Sequence, residues 1–307
     1  RDVLDLFTKS AGDLLDRWFE SGPIKAAFGF DAVVGNFASP YTPGSAYVLL
    51  HHVFGEVNGR RGQWGHAIGG MGAITQAMLE ACLARGVKVR TGTPVARVLV
   101  KAGRAAGVEL EDGTVVEARR VVSNLNPKLL FERLVAQEHL PADFRERIAA
   151  YRCGSGTLRM NLALSRLPDF ASLPGQGPHH GSGIIMAPSL AYMERAYFDA
   201  KRGGWSREPI VEMLIPSTVD DSLAPPGQHV ASLFCQHVHP DLGSVQPGRT
   251  WDDARETVAD LMVDTVERFA PGFASSVLGR RTLTPLDLER EFGLVGGDIF
   301  HGALCLD

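Results

Sequence analysis

A change of hydrophobic period at Gly86 constrains this chain more than any other feature of its sequence. Before Gly86, a glycine-rich stretch over residues 62–72 leads into a segment whose apolar residues recur at helical spacing. After Gly86, apolar and polar residues alternate through residues 87–122, which is typical of β-strands. We therefore predict, in this order, a glycine loop, a helix, a strand, a three-stranded antiparallel sheet and a short final strand over 121–124.

Glycines mark the predicted turns of this region. Gly86 is expected to end the helix in the left-handed conformation. Gly103-Arg104 is expected to join the first pair of strands. Asp112-Gly113 predicts a type I′ turn for the second pair, because both central residues of that turn need a positive φ.

The rest of the chain predicts helices and one mainly antiparallel sheet. Within residues 157–164, Leu158, Met160, Leu162 and Leu164 alternate with mostly polar residues, so this strand has one apolar and one polar face. Further strands are predicted over 183–186, 210–215, 229–236 and 277–284. Helices are predicted over 2–19, 23–34, 45–54, 141–150, 189–201 and 251–269, with Thr250 capping the last. Residues after 127 thus predict an α+β domain.

Composition excludes several classes of protein. With 45% apolar and 21% charged residues, the chain has a globular composition, and its 307 residues suggest about two domains. A net charge of -4 from interspersed residues argues against a nucleic-acid partner. No apolar run approaches the roughly 18 residues of a transmembrane helix. The four cysteines are widely spaced, so we expect thiols in a reducing compartment, with a disulfide as the alternative.

The motif Gly69-Gly70-Met71-Gly72 stands directly before the predicted helix. A helix N-terminus offers unpaired N–H groups to a phosphate. However, the motif matches neither G-x-G-x-x-G nor a P-loop. Close approach of the bare backbone to another surface is therefore favoured, and phosphate binding is the alternative.

Other polar residues offer fewer candidates. The histidine pairs at 51–52 and 179–180, and His237 with His239, show no set of converging ligands, so no metal site is expected. No G-x-S-x-G elbow indicates a hydrolase. Arg159 and Asn161, on the polar side of the predicted strand, either line a substrate cavity or belong to a solvated sheet face with a salt bridge.

Taken together, these segments resemble the phytoene dehydrogenase-like flavoproteins, which are FAD-dependent oxidoreductases. The middle part of that family is similar to Gly65-His66-Ala67-Ile68 with the motif at 69–72, and to residues 86–89, 93–95, 107–113 and 121–124. Residues 197–200, 215–217, 223–230 and 292–302 extend the similarity to nearly the whole chain.

The resemblance implies a mixed α+β and α/β fold. A partial FAD-binding domain, of the amine oxidase and phytoene desaturase type, would accompany an α+β substrate domain with a mainly antiparallel sheet. The implied bounds are 1–62 for substrate-domain helices, 63–127 for the middle FAD segment, 128–290 for the substrate domain and 291–307 for the start of the C-terminal FAD segment. The cofactor-binding residues implied by the resemblance are Gly69, Gly70, Met71, Gly72, Val95, Ser123 and Asn124. Arg159 and Asn161 would line the substrate cavity.

The resemblance further implies hydride transfer from an apolar small-molecule substrate to FAD, and it indicates no catalytic residue. A non-catalytic binding or regulatory protein that retains the flavoprotein fold is the alternative. The family's G-x-G-x-x-G fingerprint is missing from this sequence, so we expect an interior fragment that binds FAD poorly and is inactive by itself. We expect a cytoplasmic location if the source is bacterial, with the mitochondrial matrix as the alternative if it is eukaryotic.

Overall fold

The computed structural model describes residues 2–305 and divides into two compact units. The first, called here the sheet unit, consists of Arg1–Ala73 and Gly154–Asp307. The second, called the hairpin unit, consists of Ile74–Cys153. The domain bounds implied by the family resemblance follow cofactor and substrate roles rather than compactness, and they stay a prediction.

The described residues form ten α-helices and ten strands. The helices are α1 (Asp2–Thr8), α2 (Ala11–Trp18), α3 (Gly22–Asp31), α4 (Ser45–Val53), α5 (Met71–Leu83), α6 (Ala142–Ala150), α7 (Leu190–Gly203), α8 (Leu242–Val245), α9 (Trp251–Phe269) and α10 (Pro285–Phe292). The strands are β1 (Glu56–Val57), β2 (Arg60–Arg61), β3 (Val95–Lys101), β4 (Arg104–Leu110), β5 (Val115–Glu117), β6 (Thr157–Leu164), β7 (Ile184–Met186), β8 (Trp205–Leu214), β9 (His229–Val238) and β10 (Val277–Leu283). None of the helices within 2–305 is long and apolar enough to span a membrane.

The sheet unit is built on a five-stranded antiparallel sheet in the order β10-β6-β9-β8-β7. All five predicted strands are confirmed. Strand β8 begins at Trp205, earlier than predicted, because a register shift between Trp205 and Ile210 interrupts the alternation on which the prediction depended. The predicted α+β domain around one antiparallel sheet is thus confirmed.

One face of this sheet holds the main core. The alternating apolar residues of β6 are buried against α9, where Val258, Met262 and Val266 are inaccessible to solvent. Each such side chain contributes about 1.5–3 kcal/mol by leaving water. Helix α9 begins as predicted at Thr250, whose N–H and Oγ1 both donate to Asp253 Oδ2 at 2.8 Å.

The other face of the sheet is covered in part by the first helices and by α7. Leu15, Phe30, Leu49, Met193 and Ile210 form the centre of this second core.

The predicted helix over 2–19 is wrong as a single element, because it breaks into α1 and α2 at a cap. Ser10 adopts extended φ and ψ, and its Oγ accepts a hydrogen bond from Asp13 N at 3.0 Å. The short polar side chain therefore starts a new helix in the middle of a continuous apolar pattern.

The hairpin unit contains the predicted three-stranded antiparallel sheet, in the order β3-β4-β5. Both turns differ from expectation. Lys101 pairs with Arg104, so the first turn is Ala102-Gly103, and its φ values of 49° and 73° make it the type I′ turn.

The second turn has a different geometry from the type I′ turn predicted at Asp112-Gly113. Gly113 N donates to the Leu110 carbonyl at 2.9 Å, and only Gly113 has a positive φ. Leu110 N donates to the Thr114 carbonyl at 2.9 Å, which closes a three-residue loop. Such a loop is a type I turn followed by one left-handed glycine, so Asp112 needs no positive φ.

Two predicted strands of the hairpin unit do not form. Residues 87–89 and 121–124 lie outside the strands, and no strand within 2–305 pairs with either segment. A strand needs a neighbour for its N–H and C=O groups, and alternation alone cannot supply one. The predicted left-handed stop is confirmed, since Gly86 has a φ of 73° and its N–H donates to Leu83.

Candidate functional site

The polar face of the five-stranded sheet brings together residues from three strands. Arg159 on β6 lies directly opposite Phe234 on β9, which in turn lies opposite Glu212 on β8. One step along the strands, Asn161 lies opposite Ser232. Side chains opposite each other in an antiparallel pair share a face, so these five residues form one polar surface, called here the polar face.

Arg159 is held over an aromatic ring. Its Cζ lies 4.6 Å from the centroid of Phe234, and its Nη2 donates to Ser232 Oγ at 3.1 Å. No carboxylate among residues 2–305 comes within 4.0 Å of this guanidinium. Burial lowers the pKa of Arg159, which reflects the cost of keeping a cation out of water.

Two carboxyl groups in the same unit carry raised pKa values. Burial raises the pKa of Glu212 to about 7; attraction by Arg159 opposes this shift and the charge of Asp31 adds to it. Burial also raises the pKa of Asp31, at the end of α3, against attraction by His52. Half-buried carboxyl groups with high pKa values are common at functional sites, although structural networks produce them too.

The glycine loop is anchored from a distant part of the chain. Gly69 N donates to Asp220 Oδ2 at 2.7 Å, and His66 Nε2 lies 3.4 Å from the same oxygen. The N–H and Oγ of Ser222 donate to Asp220 Oδ1 at 3.1 Å and 2.6 Å. The Ser222 hydroxyl and the Gly69 N–H, with the other bonds, lower the pKa of Asp220 to about 2, so this buried carboxylate is ionised at neutral pH.

This anchor leaves the backbone of the loop uncovered. Gly69 and Gly70 have φ values of 84° and 83°, a conformation that favours glycine. A Cβ at Gly72 would meet nothing within 4 Å, and Met71 is 79% exposed. The loop therefore offers bare peptide groups at the start of α5.

The other predicted cofactor residues lie in the hairpin unit. Val95 is the first residue of β3 and pairs with Leu110. Ser123 and Asn124 are exposed, and Ser123 Oγ accepts a hydrogen bond from Leu125 N at 3.2 Å. The predicted set is thus divided: residues 69–72 and the pair Arg159 and Asn161 belong to the sheet unit, while Val95, Ser123 and Asn124 do not. The assignment of all nine residues stays a prediction.

Within residues 2–305, no group of three or more His, Cys, Asp or Glu side chains could hold a metal ion. A groove of about 350 Å³ lies beyond the end of β6 and is lined in part by Arg166, His180 and His229. None of the predicted site residues lines this groove.

Sequence reasoning missed several residues of these sites. Three polar-face residues lie within predicted strands, namely Glu212, Ser232 and Phe234. Only the register of strand pairing shows that they are near Arg159. Asp220 lies outside the helices and strands, and nothing in the sequence links it to a glycine 151 positions away.

Comparison with known proteins places the chain in a family. A family model described as flavin containing amine oxidoreductase matches residues 3–158. The rat pyridine nucleotide-disulfide oxidoreductase domain-containing protein 2 is 44% identical over 311 residues, covering 99% of this chain and 53% of that protein. The zeta-carotene-forming phytoene desaturase of Myxococcus xanthus is 27% identical, covering 93% of this chain and 51% of that protein. The chain therefore spans about half the length of these curated relatives.

The fold has solved counterparts. A crystal structure of an oxidoreductase from Methanosarcina mazei superposes with a TM-score of 0.60 at 18% identity, covering 90% of this chain and 56% of that one. The resemblance found in the sequence is thus confirmed, as is the amine oxidase-like fold. The chain belongs to the family of flavin-containing amine oxidoreductases.

Proposed function

We propose that this chain belongs to an FAD-dependent oxidoreductase of the dehydrogenase or desaturase type, which removes a hydride from a C–H bond of an apolar small molecule. The observation that carries the proposal is the family match over residues 3–158, which includes the anchored glycine loop. The phytoene desaturase of Myxococcus xanthus, which is similar over 93% of this chain, supports an apolar substrate.

The glycine loop fits close approach by a cofactor. Two successive left-handed glycines, Gly69 and Gly70, carry no side chain of their own, and the Cβ position of Gly72 is open. The ionised Asp220 fixes the loop through Gly69 N. We propose that Gly69, Gly70, Met71 and Gly72 bind FAD, and that Val95, Ser123 and Asn124 are cofactor-binding residues as the family resemblance implies.

When bound, FAD supplies the acceptor for a hydride, which is chemistry that amino-acid side chains do not provide. The chain's own residues would then bind and orient the substrate. The polar face offers Arg159 and Asn161 for this purpose, beside the ring of Phe234. We propose no catalytic acid or base, since hydride removal requires mainly orientation and exclusion of water.

We further propose that the 307-residue chain alone binds FAD weakly, because its sequence lacks the G-x-G-x-x-G fingerprint that holds the pyrophosphate of a dinucleotide. The same proposal takes the partner to be an apolar small molecule rather than a nucleic acid. It places the protein in the cytoplasm of a bacterial source, or in the mitochondrial matrix of a eukaryotic one.

The test uses the gene product at its natural length and, separately, the 307-residue chain. Flavin released by denaturation is quantified for both, and candidate polyenes, alcohols and amines are added anaerobically while the visible absorption of oxidised flavin is recorded. We expect flavin in the natural product and its bleaching by at least one apolar candidate. A natural product that contains flavin which no candidate bleaches would support the non-catalytic alternative. Equimolar flavin in the 307-residue chain would contradict the proposed weak binding.

A further inference from the structure

Three side chains with hydrogen-bond donors are neighbours on the polar face. Arg159 Nη2 lies 3.1 Å from Ser232 Oγ, and Asn161 is directly opposite Ser232 in the register of β6 and β9. Because Ser232 accepts from Arg159, its own hydroxyl hydrogen can still be donated. The exposed amide of Asn161 has no hydrogen-bond partner within the described part of the chain. These donors could all reach one bound oxygen anion.

Two acidic residues belong to this region, and neither forms an ion pair with Arg159. Glu291 pairs with Arg281, which lies opposite Asn161 on β10. Glu212 lies on the row of Arg159, but its Oε1 is 3.0 Å from where a Cβ of Gly183 would be, beside β7. Neither Glu212 nor any other acid within 2–305 forms an ion pair with Arg159. A half-buried cation without a counterion is costly, and an anionic ligand would remove that cost.

We propose that Arg159, Asn161 and Ser232 bind the carboxylate of an amphipathic acid, and that the apolar part of this acid rests on Leu214. Leu214 lies opposite Ser232 on β8 and is 41% exposed, so an apolar surface adjoins the donors. A guanidinium and two neutral donors match the single charge and the two oxygens of a carboxylate. A phosphate dianion would bring a second negative charge towards Glu212 and Asp31.

This inference deepens the proposed function. It rests on that function because it takes the polar face to be the substrate site. Binding of the acid requires no flavin, however. A chain that binds the acid while its natural gene product reduces no flavin would leave this inference standing and remove the proposed function. A chain that does not bind the acid, while its natural gene product reduces flavin, would remove only this inference.

The experiment measures binding of four probes with the same eight-carbon chain to the 307-residue protein by titration calorimetry: octanoate, octanol, octylamine and octyl phosphate. We expect octanoate to bind at least about tenfold more tightly than octanol or octylamine, because only the carboxylate accepts charge-assisted bonds from Arg159. Octanol or octylamine binding as tightly as octanoate would overturn the proposal. Tighter binding of octyl phosphate would overturn the choice of a carboxylate.

Two variants locate the octanoate. Arg159→Gln should weaken its binding by roughly tenfold to a hundredfold. Asn161→Asp, at an exposed position that tolerates the change, places a carboxylate beside the guanidinium and should abolish binding without altering the unfolding midpoint. If Arg159→Gln fails to fold, Asn161→Asp decides the matter by itself.

The matched control is Arg195→Gln on α7, which removes a guanidinium that is 59% exposed and pairs with Glu208 rather than with a residue of the proposed site. It should leave octanoate affinity unchanged. Equal affinity in the protein and its Asn161→Asp variant, or equal weakening by Arg195→Gln, would show that octanoate binds elsewhere.

Discussion

The two units of this protein are stabilised in different ways. In the sheet unit, one face of the large sheet is covered by α9 and the other in part by further helices, and apolar side chains form two buried clusters. In the hairpin unit, every residue of which is described, Leu110 is the only apolar side chain that is buried. Helix α5 has no buried residue, and Met78 on it is 65% exposed.

Each unit gains its stability from a different source. Burial of apolar area dominates in the sheet unit, and it depends on residues far apart in the sequence. In the hairpin unit, most of the ordering follows from local signals: two turns, one left-handed stop and cross-strand ion pairs such as Arg97 with Glu109 at 2.6 Å. Exposed ion pairs of this kind contribute little, so the hairpin unit should be the less stable of the two.

The largest expected effect comes from truncating the core of the sheet unit. Leu233 on β9 is fully buried, so Leu233→Ala should lower the free energy of unfolding by about 2–5 kcal/mol through lost transfer energy and a residual cavity. Urea unfolding followed by tryptophan fluorescence measures this change, because all four tryptophans, at 18, 64, 205 and 251, belong to the sheet unit.

The same substitution in the hairpin unit is the control. Leu83 at the end of α5 is 55% exposed, and Leu83→Ala should change stability by no more than about 0.5 kcal/mol, as judged by far-UV circular dichroism. Equal losses of stability for the two variants would show that the exposed side of α5 is as important for stability as the core of the sheet unit.

The second effect concerns charge, which also differs between the units. Burial raises the pKa of Glu212 in the sheet unit to about 7. As the pH rises from about 4.5 to 7, the unfolded chain ionises this group before the folded one, so stability falls over that window. Glu212→Gln removes the penalty and should stabilise the protein by up to about 3 kcal/mol at pH 8, with almost no effect at pH 4.

Glu117 on β5 of the hairpin unit provides the opposite case. A hydrogen bond from Lys101, with its charge, lowers the pKa of Glu117. The contribution of this group is present above the unfolded pKa and is lost as the pH falls, so Glu117→Gln should slightly destabilise the protein at pH 8. Chemical denaturation at the two pH values measures both variants. An effect of Glu212→Gln that does not change with pH would contradict the burial argument.

Hydrophobic patterns in the sequence predict helices and strands, but they do not predict the register in which strands pair. The strands of the large sheet and helix α9 were predicted because alternation and helical spacing persist over many residues. The polar face was only half predicted: Arg159 and Asn161 lie on one strand, whereas Phe234 and Glu212 join them through pairings between distant segments. The predicted turn type at Asp112-Gly113 is wrong because turn geometry depends on the number of residues in the loop. The dipeptide alone does not give that number.

The third effect is local and tests the anchor of the glycine loop. Asp220→Asn removes the charge that accepts the Gly69 N–H, so amide hydrogen exchange over residues 66–70 should accelerate by about tenfold, with little change in global stability. Asp221→Asn, at the exposed neighbouring residue, should have no such effect. In the unmodified protein, protection of the same amides, measured against the intrinsic exchange rate at each pH, should be lost as the pH falls below about 4 towards 2. The reason is that the contribution of a carboxylate with a lowered pKa is lost on protonation. Unchanged exchange at Gly69 in Asp220→Asn would show that the loop keeps its conformation without the anchor.

The smallest effect tests whether turns, rather than a core, order the hairpin unit. Ala102 has a φ of 49° in the type I′ turn, a conformation that alanine adopts at a cost and that Asn-Gly favours. Ala102→Asn should therefore stabilise the β3-β4 hairpin by a few tenths to about 1 kcal/mol, which slower amide exchange at Lys101 and Arg104 would report. The matched variant Ala105→Asn, within β4, should act in the opposite direction, because asparagine is unfavourable in strands. If both variants left exchange in the hairpin unchanged, its order would depend on contacts other than its turns, and the contrast with the sheet unit would need a different physical basis.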